Sequence, residues 1–239
     1  MPGLKFFINS LILFTAVQNS AFAASTPETL SLTPFTASYE VDWKSGISLS
    51  GSTVRKLATN ESGGWTFESK ASAMFASVFE SSQFQLQGQQ IKPLNYHFKQ
   101  SVLGKKRIAD VSFDWENLQV TNDVENKPWK MDISKGVQDK LSYQLLLQQD
   151  VAQGLQEFNY TVADGGKLKQ YKFIVDGKEV IEAPIGTFES IRVKRIRDGK
   201  KNRETFIWFA PELGYQIIKL HQTEKKDKSY SLLLKELKN

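Results

Sequence analysis

From Phe35 onward the chain alternates. Phe35, Ala37, Tyr39, Val41 and Trp43 take one parity and Thr36, Ser38, Glu40 and Asp42 the other. This is the period-two signature of a strand with one packed and one wet face. The pattern returns after the turn cluster Asn60–Gly64 in Trp65, Phe67, Ala71, Ala73 and Phe75, and again in Phe84 and Leu86. It continues through Leu94, Tyr96 and Phe98, then Ala109, Val111, Phe113 and Trp115, and later through Phe158, Tyr160 and Val162 and through Tyr171, Phe173 and Val175. Asp164-Gly165-Gly166 and Pro211–Gly214 read as turns. Asp176-Gly177 and Asp198-Gly199 read as two-residue hairpin connections, because Asp and Gly both tolerate positive φ. Phe206–Ala210 and Ile217–Leu220 are apolar on both parities, which predicts cover on both faces.

One long stretch leaves this rhythm. In Gly136–Gln153, Val137, Leu141 and Leu145 recur at spacings of four, as do Tyr143, Leu147 and Val151, with Gln and Asp residues between them. The spacing predicts a helix with an apolar stripe, capped by Ser134, with Asp139 near the positive end of its dipole and Gly154 closing it. The helix is expected near the two doubly apolar strands. The fold class that follows is mainly β: a single curved antiparallel sheet or partly closed β-barrel, with one main α-helix packed on it or plugging it. No repeat of solenoid or propeller length stands out.

The first residues add a compartment. Lys5 precedes the apolar run Phe6–Val17, which ends in Ala21-Phe22-Ala23, a small-x-small triplet. This predicts a signal peptide over residues 1–23, cleaved near Ala23, and hence a periplasmic protein. Residues 24–32 are expected to form a flexible Ser/Thr/Pro leader before a single β-rich domain over 33–239. The chain has no cysteine, so neither disulfides nor lipidation at a terminal cysteine contribute, and a packed core must hold the domain. Loss of Lys5 takes the formal net charge from +5 to +4, too little to point to nucleic acid. An integral outer-membrane barrel fits poorly with a long central helix and a chain that ends in LKELKN.

Several segments, in order along the whole mature chain, carry a resemblance: PFTASYEVDW at Pro34–Trp43, FDW at Phe113–Trp115, GVQDKLS at Gly136–Ser142, APIGTF at Ala183–Phe188 and WFAPELGYQIIKL at Trp208–Leu220. The chain resembles the exported bacterial proteins of domain of unknown function 3108. The resemblance implies a periplasmic all-β protein and transfers no catalytic residues. At the level of fold it is also similar to periplasmic lipoprotein-carrier half-barrels, in which helices plug an open barrel that cups an acyl chain, although fold does not fix function.

Candidate chemistry is sparse. His97 and His221 are the two histidines and stand in no metal-ligand spacing. No nucleophile elbow or phosphate loop appears, so no catalytic residue, metal or cofactor is expected. The aromatic and aliphatic residues at packed parities supply the candidate ligand lining: Tyr39, Trp43, Phe67, Phe84, Tyr96, Phe113 and Trp115, with Leu141 and Leu145 from the helix. Basic clusters at predicted turns supply candidates for head-group or partner contact: Lys105, Lys106, Arg107, Arg197, Lys200 and Arg203. Lysines at sheet edges also prevent unwanted strand pairing, which is their ordinary use. These features predict a non-catalytic binding module for an apolar or amphiphilic envelope molecule. The alternatives are an assembly protein docking an envelope protein and, less favoured, a hydrolase of envelope polymer.

Overall fold

The computed structural model describes residues 30–45, 47–197, 203–225 and 228–239. The expected signal peptide, most of the leader, Asp198-Gly199 and Lys200 lie outside the described residues. Strands β1 (Phe35–Ser45), β2 (Ile47–Thr59), β3 (Trp65–Ala73), β4 (Ala76–Gln87) and β5 (Gln90–Val102) follow one another as a meander, continued by β6 (Lys105–Asp114), β7 (Gln119–Val124) and β8 (Pro128–Asp132). After helix α1 (Ser142–Ala152) come β9 (Glu157–Ala163), β10 (Leu168–Ala183), β11 (Gly186–Ile196), β12 (Glu204–Ala210), β13 (Gln216–Lys225) and β14 (Lys228–Lys238).

All strands form one 14-stranded sheet in the order β8-β7-β6-β5-β4-β3-β2-β1-β14-β13-β12-β11-β10-β9. Each strand pairs antiparallel with its sequence neighbour, β1 pairs with β14, and the ring is broken between β8 and β9. The predicted curved sheet with one helix is therefore what the chain forms, and it is not closed into a barrel. The break coincides with the stretch that contains the helix. Gln138 makes a parallel bridge to Val162 of β9, while its side-chain amide donates to the Ile91 carbonyl of β5 at 2.9 Å.

The helix occupies the concave side. Leu141, Leu145, Leu147 and Val151 are all buried, and so are the inward residues of the sheet, among them Ala37, Tyr39, Leu57, Phe67, Phe84 and Phe173. Its contacts spread around the curve: Gln144 accepts from Arg55 of β2 at 2.6 Å, Asp150 accepts from Tyr160 of β9 at 2.5 Å, and Gln148 donates to the Gly214 carbonyl at 3.0 Å. It acts as a plug.

Three sequence expectations are corrected. The helix is 11 residues, beginning at Ser142 rather than Gly136, and Ser134 does not cap it. The capping group is Asp139, whose Oδ1 accepts from the backbone N–H of Leu141 at 2.7 Å and of Ser142 at 2.8 Å, while its own N–H donates to Ser142 Oγ at 2.9 Å. Before it, Gln138 is held by its bridge to Val162 of β9, so the helix does not run on from Gly136. At the other end Gly154 stands just past the C-cap with φ +83°, as its position predicts.

Asp176-Gly177 is not a hairpin. It is a bulge inside the 16-residue β10, where the register with β11 slips between Val175 and Lys178. A bulge and a tight turn use the same positive φ, here +104° at Gly177, and Arg192 fixes the bulge by donating to the Asp176 carbonyl at 3.0 Å and pairing with its carboxylate at 3.1 Å. The real turn follows Ala183, which pairs with Gly186.

The outer face of β12 is covered by charged stems rather than by the helix. Lys194 lies 5.2 Å from the Phe206 ring centroid and Lys219 4.7 Å from that of Trp208, whose indole N–H donates to Glu179 at 2.9 Å. Long cationic side chains laid over aromatic faces bury the rings and keep their charges wet. Finally, Leu30 and Leu32, within the expected leader, are buried, and the Leu30 N–H donates to the Gly88 carbonyl at 3.3 Å.

His221 of β13 bonds Ser231 Oγ through Nδ1 at 2.7 Å. Burial first, then the charges of Lys219 and Lys44, hold its imidazole below the usual range. The unfolded chain therefore takes up this proton at a higher pH than the folded one. Stability from this group is fully present above the unfolded pKa and falls as pH drops from there through the lowered folded value. In His221→Asn, the difference in Tm between about pH 8 and about pH 5.5 should shrink; an unchanged difference would remove His221 from the acid sensitivity.

Candidate functional site

Where the plug ends, the concave side opens. Lys194 of β11 pairs with Phe206 of β12 and Val193 with Ile207, a register that places Arg195 across from Thr205. Val193 is fully buried, so the residues sharing its parity, Arg195 and Arg197, also turn inward, beside Arg203 at the head of β12. These guanidinium groups line one side of a cleft of about 690 Å³. The opposite side carries Glu80 of β4 and Lys140, and the floor is Tyr143 of the helix with Tyr171 of β10.

The floor is rigid. Tyr143 meets Tyr171 edge-on at 5.1 Å and stacks on Phe173 at 5.9 Å. The guanidinium carbon of Arg195 sits 3.5 Å over the Tyr171 ring. Arg197 donates to Thr205 Oγ1 at 3.0 Å, and Arg203 pairs with Glu224 at 2.6 Å. Burial, followed by the charges of Arg195 and Arg203, brings the Arg197 guanidinium down to about 10, still a cation at neutral pH. Burial likewise pushes the Tyr143 and Tyr171 hydroxyls up, so both remain neutral donors.

Charges in the cleft do not balance. Lys140, Lys169, Lys172, Arg195, Arg197 and Arg203 face Glu80 and Asp164. Both carboxylates are engaged, Glu80 by Lys140 at 3.1 Å and Asp164 by Lys169 at 2.6 Å. Among the described residues Arg195 and Arg197 have no carboxylate partner, and the Nε atoms of Arg195 and Arg203 are buried without a hydrogen-bond partner. Buried donors left unpaired cost free energy unless something supplies acceptors.

A second, apolar pocket of about 240 Å³ adjoins the cleft, lined by Val41, Trp43, Ala71, Val78 and Val102 together with Tyr230. Its wall continues the wall of the cleft: Val78 stands two residues from Glu80 on β4, and Tyr230 pairs with Gln222 of the cleft across β13 and β14.

The sequence-selected residues divide between these places and the core. Trp43 lines the apolar pocket. Tyr39, Phe67, Phe84 and Leu141 pack in the interior at 0–1% exposure, and Leu145, buried, borders a separate cleft of about 290 Å³ beneath Phe35 and Leu57. Tyr96 donates to Glu80, and Phe113 stacks on Trp115 at 5.6 Å, with the Trp115 indole donating to the Pro93 carbonyl at 2.6 Å. Arg197 and Arg203 come together in the cationic cleft; Arg107 lines a smaller one of about 130 Å³ with Tyr96; Lys105 and Lys106 are exposed at a hairpin tip. Lys200 is outside the described residues. Sequence reasoning missed Arg195, Tyr143, Tyr171 and the Glu80–Lys140 pair. The available signal was parity: a cation two residues from an inward valine points inward.

His97 bonds Asp110 at 2.7 Å on the outer face, and among the described residues no cluster of His, Asp and Glu is arranged as for a metal ion. No described helix is long and apolar enough to cross a membrane.

A family model described as protein of unknown function (DUF3108) matches residues 38–232. No curated protein matches the sequence. Among solved structures, a β-barrel-like protein of domain of unknown function DUF1849 from Brucella abortus is similar in fold, with a TM-score of 0.59 at 12% identity, covering 86% of this chain and 97% of that one. A candidate lipoprotein from Parabacteroides distasonis superposes with a TM-score of 0.32 at 12% identity over 89% of this chain and 97% of its own. A candidate exported protein with a YmcC-like fold from Bacteroides fragilis gives 0.30 at 11% identity over 86% and 95%.

Proposed function

The chain belongs to the DUF3108 family of proteins of unknown function, and we propose that it is a non-catalytic binding module of the periplasm that holds an anionic amphiphile. The head group takes the acceptor role in the cationic cleft and an apolar portion enters the adjoining pocket. The observation that carries this is the pair Arg195 and Arg197, which line the cleft without a carboxylate partner among the described residues, beside an aromatic floor. Guanidinium forks match phosphate and carboxylate geometry, and a neutral or cationic ligand would leave them unpaired. The contiguity of an apolar pocket with the cleft favours an amphiphile over a free anion. The signal-like segment at residues 1–23 supports the compartment.

Native mass spectrometry of protein purified mildly from the periplasm, followed by organic extraction, tests the reading. An extra mass that extracts as an anionic lipid is expected. Arg195→Met with Arg197→Met should lower the bound fraction at least about tenfold, since each charged hydrogen bond contributes roughly 1.5–3 kcal/mol. The same variant should keep or raise the Tm of the empty protein, because it removes like charges held together. An empty mass that persists after incubation with envelope lipids would overturn the reading and turn the search to protein partners.

A further inference from the structure

The hairpin tips at one end of the sheet carry side chains that water does not favour. Between β3 and β4, Met74 is 74% and Phe75 66% exposed; between β5 and β6, Leu103 is 75% exposed. The tips adjoin, since Ala76 pairs with Val102 and the Leu103 N–H donates to the Phe75 carbonyl at 2.9 Å. Both are built against backbone preference. Leu103 has φ +50° ahead of Gly104 at +80°, a pair of positions where Asn-Gly is the usual choice, and Met74 has φ +27°. A branched apolar residue in a slot suited to asparagine is strained and exposed at once, and nothing in the fold gains from it.

The charge at the β5–β6 tip is positive. From Ser81 to Ala109 the sequence has no Asp or Glu, and Lys105 and Lys106 stand exposed next to Leu103, with Lys99 exposed farther down β5; Lys70 of β3 is paired with Glu68 at 3.2 Å. Val41, Trp43, Ala73 and Val102 of the apolar pocket open at this same end.

We infer that the β3–β4 and β5–β6 tips form a membrane-docking edge, with Met74, Phe75 and Leu103 entering the interfacial region of a bilayer rich in anionic phospholipid and Lys105 and Lys106 contacting its phosphates. Apolar insertion combined with adjacent lysines is the combination that reversible bilayer attachment needs. Charge complementarity selects anionic lipid, and the docked edge brings the mouth of the apolar pocket to the bilayer. The inference does not depend on the cleft ligand.

The test is co-sedimentation of the purified protein with vesicles of phosphatidylcholine alone or with phosphatidylglycerol, at low and high salt. Binding is expected only to the anionic vesicles and should weaken with salt. Lys105→Gln with Lys106→Gln should weaken it roughly thirtyfold, from about a fivefold effect per lysine at the surface. Met74→Ser, Phe75→Ser and Leu103→Asn together should reduce it at least tenfold while leaving the Tm unchanged or higher, because asparagine suits the backbone at position 103. Absence of binding to anionic vesicles, or binding untouched by the tip substitutions, would overturn the inference. So would self-association that the tip substitutions abolish without any vesicle binding, since the edge would then serve a second copy.

Discussion

Asp139→Ala should lower the free energy of unfolding by roughly 3–5 kcal/mol, a large share of the stability of a typical domain. The residue is fully buried, and its carboxylate serves two clients. Oδ1 caps the helix through the N–H groups of Leu141 and Ser142, and Oδ2 accepts from Ser82 Oγ of β4 at 2.5 Å. Alanine leaves three donors unpaired in the interior, each costing roughly 1–3 kcal/mol, with partial relief as the backbone relaxes. Burial raises the Asp139 carboxyl above its usual range, while the bonds from Ser82, Ser142 and Leu141 oppose that rise. Asp139→Asn keeps an acceptor for the cap and should cost far less, about 1 kcal/mol. Chemical denaturation of the two variants beside Ser82→Ala, combined as a double-mutant cycle, measures the coupling between helix and sheet. A loss below about 1 kcal/mol in Asp139→Ala would mean that the cap does not anchor the plug.

The second large effect concerns the plug itself. Leu147 is fully buried and Leu145 nearly so, but Leu145 borders the cleft beneath Phe35 and Leu57. Leu147→Asp buries a charge with no partner in reach of solvent and should cost roughly 4–5 kcal/mol or leave the chain unfolded. Leu145→Asp should cost several kcal/mol but less, because its carboxylate can turn toward the cleft. Melting temperatures and denaturant midpoints of the pair decide it. Equal losses would mean that the cleft is closed to water in solution.

How much of this was visible beforehand depends on the range of the interaction responsible. Phe35 to Trp43 announced β1 because its packing periodicity is local and unbroken. Gly154 announced the helix end because a left-handed C′ position selects glycine. The helix start was hidden, since Ser134 and Asp139 are both adequate caps by composition, and the choice was made by Ser82, 57 residues away. Asp176-Gly177 misled because φ of one residue is the same in a bulge and in a turn; only the partner strand distinguishes them. The cover on the outer face of β12 is not legible as an apolar pattern, because a charged residue supplies it: Lys219 lies over the Trp208 ring.

The candidate cleft was the least legible. Arg197 and Arg203 were noticed as part of a basic cluster, and hairpin tips are often basic for reasons unrelated to ligands. What turns them into a site is their convergence with Arg195 above Tyr171 and Tyr143, from β10, β11, β12 and the helix, and no stretch of sequence states that convergence. The aromatic residues chosen from parity alone mostly fill the interior, because inward parity marks burial and does not tell a wall from a core.

The strand order has a consequence in time. β2 through β8 can each pair with the strand just completed, but β1 has a second partner only in β14, with Thr36 set against Lys238 at the far end of the chain. Closing that contact spans nearly the whole domain, so it carries the highest loop-closure cost in the sheet and should form late. Until the last residues emerge, the free side of β1 is an open edge with the inward face of Tyr39 and Val41 uncovered, a state that favours aggregation if it lasts. Folding of this domain is therefore governed by the arrival of β14: a truncation before residue 228 should yield a collapsed but uncommitted meander in place of a smaller version of the native domain.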